Sequence, residues 1–270
     1  MLGWLTHGAR KGLIASAFLV LLLAVAIPLR TAEARYASIV VDAESGEVLY
    51  ASNADTRNYP ASLTKMMTLY MLFEAMEDGR LSLDSRLKAS QRAAGMSPSK
   101  LGLKAGDTIT VRDAILALVT KSANDVAVVI AESLADSEWQ FAIKMTEKAR
   151  ALGMSRTTFK NASGLPNKGQ LSTARDMATL SAALMRDFPK QYRYFSAESF
   201  SWQGRSYSNH NNLLGHYKGT DGIKPGYIRA SGFNLAASVE RNGRRLIAVV
   251  FGGRTAKSRD QHMVSLLDRG

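Results

Sequence analysis

Pro60-Ala61-Ser62-Leu63-Thr64-Lys65, running at once into Met66-Met67-Thr68-Leu69-Tyr70-Met71-Leu72-Phe73, is the stretch that organises this chain. Apolar residues at 66, 69, 73 and 76 keep a helical period, and Gly79 supplies a stop. Ser62 therefore stands at the start of a helix, with Lys65 three residues on and stacked on the same face. A serine hydroxyl is a poor nucleophile at neutral pH unless a neighbouring base takes its proton. A lysine can be that base if burial or nearby cations lower its pKa, and the positive end of the helix favours the developing alkoxide. A capping serine and a solvated lysine would give the same four letters, so this stretch alone does not decide the chemistry.

Composition bounds the rest. The chain has 270 residues, 46% hydrophobic and 21% charged, which is ample for a full core. Arg10 and Lys11 precede an apolar run from Gly12 to Ile27, then Pro28 and Ala32-Glu33-Ala34. Basic flank, apolar segment and small-x-small exit read as a secretory signal peptide over 1–34, with cleavage expected after Ala34. An uncleaved anchor is the competing reading, for which the run is short. Either way the body, 35–270, is expected outside the cytoplasm, in the periplasm or cell envelope. There are no cysteines, so packing rather than disulfides must hold the domain, and thiolate nucleophiles and thiolate metal sites are excluded. The net charge is +12, or +10 after cleavage, which suits attraction to anionic wall polymers or lipid headgroups. Nucleic acid is not expected as a partner, because the positive residues are scattered rather than striped.

Ala37–Asp42 and Glu47–Tyr50 flank Ser45-Gly46 and read as a β-hairpin. Thr110 is a plausible cap for a helix that ends near Thr120. At Lys121-Ser122-Ala123-Asn124-Asp125 the helix stops and another, Val126 to Leu134, begins. Asn124 and Asp125 could simply be caps. Alternatively this is a polar loop wedged between two buried helices, turning Ser122 and Asn124 into a shared cleft. Helices follow at Trp139–Leu152 and after Ser172-Thr173 to about Asp187. The last third reads as short strands, at 200–202, 206–209, 222–228, 233–239 and 246–251, with Asn242-Gly243 as a strong hairpin signal between the last two. A helix from about Ala256 to Leu267 closes the chain. The class is α+β, with the N-terminal strands joining the C-terminal antiparallel sheet.

On the strand from Gly222 lies Asp221-Gly222-Ile223-Lys224-Pro225-Gly226-Tyr227. A lysine on an exposed strand can face a ligand carboxylate, and a glycine two residues on lets a substrate backbone approach. Ser62-x-x-Lys65, Ser122-x-Asn124 and Lys224-x-Gly226 thus stand in order. Together with Ser172-Thr173-Ala174-Arg175-Asp176-Met177, they make the segment from Ala37 to Leu267 resemble the catalytic domain of low-molecular-mass penicillin-binding proteins, the serine D-alanyl-D-alanine carboxypeptidases.

The resemblance implies an antiparallel five-stranded sheet flanked by helices, with a helical subdomain, as in serine β-lactamases. It implies that Ser62 attacks the carbonyl between the last two D-alanines of a peptidoglycan pentapeptide stem, with Lys65 as base. Ser122 would relay the proton to the leaving amine, and Asn124 would orient Lys65 or the substrate amide. The N–H groups of Ser62 and Tyr227, flanking Gly226, would form the oxyanion hole. Lys224 would draw the terminal carboxylate, with Arg254 a weaker candidate for the same task. β-Lactams would acylate Ser62, no metal or cofactor is implied, and peripheral association with membrane or wall is compatible with the charge. The family's second β-domain and C-terminal anchor are not expected within these residues.

One position departs from the pattern: Pro225 stands where the family has threonine. It lacks both a hydroxyl and a backbone N–H, which implies a slower enzyme or, at the extreme, an inactive wall-binding protein. A D,D-endopeptidase would use the same site. A class A β-lactamase is disfavoured because no E-x-x-L-N stretch carries its deacylating glutamate. His210 and His216 lie in an asparagine-rich loop without a paired carboxylate, so a cleft-lining or structural role is expected for them rather than metal binding.

Overall fold

The last strand carries an unbroken apolar run, Leu246-Ile247-Ala248-Val249-Val250-Phe251, a pattern that demands cover on both faces of a sheet. A computed structural model describes residues 36–270, and the expected signal segment lies outside the described residues. In chain order the main elements are β1 (Ala37–Asp42), β2 (Val48–Ser52), α1 (Thr64–Glu77), β3 (Arg86–Lys88), β4 (Thr108–Thr110), α2 (Val111–Val119), α3 (Asn124–Leu134), α4 (Glu138–Ala151) and α5 (Ala174–Asp187). Then come β5 (Ser199–Trp202), β6 (Arg205–Ser208), β7 (Thr220–Ile228), β8 (Gly232–Arg241), β9 (Arg244–Gly253) and α6 (Ala256–Leu267).

Five strands form one antiparallel sheet in the order β2-β1-β9-β8-β7. The N-terminal hairpin closes onto the C-terminal strand, with Ala37 opposite Phe251 and Asp42 opposite Leu246. Asn242 and Gly243, at φ +51° and +76°, make the two-residue turn between β8 and β9, whose twist matches the strands it joins. Side chains alternate between two cores. Val40, Leu235, Ala237, Ala248 and Val250 pack with Met263, Leu266 and Leu267 of α6. Ile39, Ala236, Ile247, Val249 and Phe251 face the helical lobe instead. Inside that lobe α1 is buried from Thr64 to Phe73 on every side, as a helix without a polar face must be.

Side chains cap the helices where the sequence places hydroxyls. Thr110, Ser137, Thr173 and Thr255 accept the backbone N–H of Asp113, Gln140, Asp176 and Ser258. Asn124 and Asp125 do not stand at the N-cap: α3 starts at Asn124 without a side-chain cap, the Asn124 side chain is spent outside the helix, and that of Asp125 divides between the Val126 N–H and the 101–103 segment. The strands expected near 200 and 206 also depart from expectation. They form a separate two-stranded ribbon rather than a part of the main sheet. Each is four residues long and only Phe200 is buried, so neither has a second face to offer a sheet covered on both sides.

Candidate active site

Ser62 sits in a 3-10 turn, Ala61–Leu63, that feeds directly into α1. Three contacts hold that turn. The side-chain amide of Asn234, on β8, donates to the Tyr59 carbonyl at 3.0 Å and the Pro60 carbonyl at 3.4 Å. Gly226, on β7, lies so close that an added Cβ would stand 3.0 Å from the Ser62 nitrogen and 3.0 Å from Leu63 Cδ1. Gly164, at φ +88°, would place a Cβ 1.9 Å from the Ala61 oxygen. The missing side chain of Gly226, besides lining the cavity, thus makes room for the Ser62 turn.

The Ser62–Lys65 geometry is as the spacing requires. Lys65 Nζ lies 3.4 Å from Ser62 Oγ, donates to Asn124 Oδ1 at 2.8 Å and donates to the Ser163 carbonyl. The side chain is wholly buried. Desolvation, reinforced by the charge of Lys224 and opposed by Asp125, holds its pKa well below the ordinary lysine value. A neutral amine carries two hydrogens and one lone pair. Asn124 and Ser163 take the hydrogens, which leaves the lone pair for the Ser62 hydroxyl.

Ser163 belongs to a loop, 161–166, whose part in the site no local pattern announced. Its backbone is fixed from three sides: Thr68 Oγ1 donates to the Ala162 carbonyl at 2.7 Å, the Ala162 N–H donates to Glu138 at 3.1 Å, and Asn161 accepts the Gly164 N–H at 2.7 Å.

The polar joint between α2 and α3 does turn Ser122 and Asn124 into a cleft. Ser122 adopts φ +59°, and its Oγ is buried without a hydrogen-bond partner. A strained backbone holding an unsatisfied hydroxyl is a feature that clusters at functional sites. Asn124 spans the cleft wall, joining Lys65 on one side and the Ser97 carbonyl at 3.0 Å on the other. Asp125 accepts the backbone N–H groups of Leu101, Gly102 and Leu103 at 2.8–3.1 Å and so fixes the segment that follows the lining residues Pro98 and Ser99.

β7 supplies the remaining wall. It is an edge strand of the main sheet, so Pro225 can lack an N–H without breaking a ladder bond. Lys224 is wholly buried rather than on an exposed strand as expected, and its Nζ has no hydrogen-bond partner. Burial, with the charge of Arg259, lowers its pKa to about 7. Tyr227 is 54% exposed and packs on Phe233 with ring centroids 4.3 Å apart.

A cavity of about 300 Å³ opens onto these parts, lined among others by Ser62, Ser122, Asn124, Pro225, Gly226 and Tyr227. His210 and Arg259 also line it, whereas Arg254 is exposed and outside the lining. The guanidinium of Arg259 is engaged by the Asn234 carbonyl and Asp260.

A five-stranded antiparallel sheet, a helical lobe and a Ser-x-x-Lys pair at their junction define the penicillin-binding protein fold. The chain belongs to the D-alanyl-D-alanine carboxypeptidase family Peptidase_S11, whose profile matches residues 25–255. D-alanyl-D-alanine carboxypeptidase DacF of Bacillus subtilis is 34% identical over 242 residues, covering 86% of this chain and 60% of the relative. DacA of Escherichia coli is 37% identical over 239 residues, with 86% and 59% covered. Penicillin-Binding Protein D2 from Listeria monocytogenes, in its ampicillin-bound form, superposes with a TM-score of 0.80 at 33% identity, over 90% of this chain and 98% of that one. The chain spans about 60% of the length of these curated relatives.

Proposed function

We propose that this chain is an exported serine D,D-carboxypeptidase that removes the terminal D-alanine from peptidoglycan stem peptides through an acyl-enzyme on Ser62. The observation that carries the proposal is the Lys65 amine: buried, its pKa held well below the ordinary lysine value, with Asn124 and the Ser163 carbonyl placed to take two hydrogens so that the neutral form turns its lone pair to the serine hydroxyl. The names of the relatives, and the ampicillin-bound state of the Listeria protein, support the same reading.

In this reading Ser62 Oγ attacks the carbonyl of the penultimate D-alanine while its proton passes to Lys65 Nζ. The oxyanion is met by the backbone N–H groups of Ser62 and Tyr227, which Gly226 lets approach each other. Collapse of the tetrahedral adduct breaks the peptide bond, and the proton held by Lys65 passes through the Ser122 hydroxyl to the departing D-alanine amine, which returns Lys65 to its neutral form and leaves Ser122 protonated. Asn124 keeps Lys65 oriented and presents its own amide to the substrate. Lys224 gives the site positive potential for the terminal carboxylate. Water then attacks the acyl-enzyme carbonyl, losing a proton to Lys65, and releases the shortened peptide with Ser62 restored. A β-lactam enters the same sequence and stalls at the ester.

The test is incubation of the protein with a labelled penicillin, followed by intact and peptide mass spectrometry. An adduct mapping to Ser62 and absent from Ser62→Ala is expected, together with D-alanine release from an N-acyl D-alanyl-D-alanine peptide. An unlabelled Ser62 would sink the acyl-transfer reading.

A further inference from the structure

We infer that His210 binds the terminal carboxylate of the substrate, supplying the hydrogen bond that Pro225 cannot give. This rests on the acyl-transfer reading of the same cavity, which it extends to a residue outside the Ser-Lys-Ser machinery.

The first support is position. His210 lines the cavity together with Ser62, Ser122 and Pro225, and its ring is open to that space. It does not hang on a loose loop. The next residue, Asn211, donates from its side chain to the Gly222 carbonyl at 3.1 Å, two residues before Lys224 on the same strand. Asn211 also accepts the Leu213 N–H at 3.2 Å, while Asn209 accepts the Asn211 N–H at 2.9 Å and donates to the Ala197 carbonyl at 2.8 Å. This ladder of asparagine bonds sets the imidazole at a fixed offset from the Lys224–Pro225 segment.

The second support is an inventory of donors. A carboxylate needs more than one N–H or O–H to replace its hydration. Lys224 Nζ, wholly buried and not itself among the lining residues, has no partner and keeps its donors free. Arg259 spends three of its five N–H donors on Asn234 and Asp260, Ser99 Oγ donates to the Lys121 carbonyl, and Arg254 lies outside the lining. Proline at 225 offers neither hydroxyl nor N–H. Tyr227 stands at the mouth, stacked on Phe233. His210 makes no side-chain hydrogen bond among the described residues and adds an uncommitted donor to the lining, beside the spare N–H groups of Arg259 and the unpartnered Ser122 hydroxyl.

The third support is the field. Desolvation above all, with the positive charges of Lys224 and Lys121, lowers the pKa of the imidazole to about 4. At neutral pH the ring is therefore uncharged and offers one N–H, in surroundings whose positive potential favours an anion. A carboxylate placed there offsets the lysines and raises the affinity of the ring for a proton.

The experiment pairs two substrates with four variants. Acylation is measured with an N-acyl D-alanyl-D-alanine peptide and with its C-terminal carboxamide, for wild type, His210→Ala, His210→Gln, Pro225→Thr and the His210→Ala/Pro225→Thr double variant. Loss of one hydrogen bond to a charged group corresponds to a fall of about tenfold in kcat/KM. His210→Ala should show that fall on the carboxylate peptide, chiefly in KM, and about none on the carboxamide. His210→Gln, which keeps an N–H, should recover part of it. In the Pro225→Thr background the same His210→Ala change should cost much less, because the hydroxyl has returned. Equal losses on both substrates, or an undiminished loss in the Pro225→Thr background, would overturn the inference. Should the wild type prove inert to both peptides and to penicillin, the acyl-transfer reading fails. The carboxylate site is then judged by NMR titration of the His210 ring with N-acetyl-D-alanine: an upward shift of its pKa supports the site, and an unmoved titration rejects it.

Discussion

Lys65 and Lys224 are two primary amines sealed into one protein, and the proposed mechanism gives them opposite tasks. Lys65 must be neutral to take a proton, a state that rising pH favours. Lys224 must be charged to draw a carboxylate, a state that falling pH favours, and its pKa stands at about 7. The dependence of kcat/KM on pH reports the free enzyme, so a bell is expected whose alkaline limb lies near neutrality for carboxylate substrates. That limb should vanish with a carboxamide substrate; its persistence would assign it to another group. Lys65→Met keeps the volume of the buried stem and removes the base. Acylation by penicillin should fall by about 10²–10⁴-fold with the melting temperature unchanged or higher, since no amine then remains to be desolvated. Rapid labelling of that variant would show that Lys65 is not the base.

At the scale of elements, the nucleophile turn is gripped between a strand and a loop that come from distant parts of the chain. Gly164 is the tightest point of the grip. Its φ of +88° and the 1.9 Å approach of a notional Cβ to the Ala61 oxygen leave no room for alanine. Gly164→Ala should destabilise the fold by about 2–4 kcal/mol through strain and overpacking, and should slow acylation beyond what the loss of folded protein explains. Urea unfolding measured beside active-site titration checks both, and a silent substitution would mean that the loop does not position Ser62. Asp125→Ala strips the acceptor from four backbone N–H groups at once, those of Leu101, Gly102, Leu103 and Val126, so a loss of about 3 kcal/mol is expected in the same assay.

This grip also marks where the sequence stops being readable. The Ser62–Lys65 pair, the caps at Thr110 and Thr173 and the Asn242-Gly243 hairpin rest on interactions within a few residues, so spacing alone discloses them. Ser163 serves Lys65 across 98 positions and Asn234 serves Tyr59 across 175, and no periodicity encodes such contacts. Asn124 and Asp125 show the converse. Locally they are ideal caps, and only the tertiary demands of Lys65 and of the 101–103 segment divert them.

Across the whole molecule, the buried amines leave a signature in stability. Between about pH 7 and 10 an unfolded chain protonates Lys224 and the native protein does not, so the unfolded state binds more protons and stability rises with pH. Lys65 acts in the same direction over its own window. Tyr36, Tyr70, Tyr192 and Tyr217 have raised pKa values, so their contribution is present below pH 10 and is lost above it. At the acid end, Asp42, Asp55 and Asp187 are lowered, so what they contribute is lost as pH falls below 4. A stability maximum on the alkaline side, near pH 9–10, follows from these signs. The slope from Lys224 alone has a ceiling of about 1.4 kcal/mol per pH unit. Chemical denaturation of wild type and Lys224→Met at intervals from pH 6.5 to 9.5 measures it: wild type should gain stability across the series, and the variant should gain distinctly less. Parallel slopes would assign the gain to relief of the general positive charge of the chain and would remove Lys224 from the account.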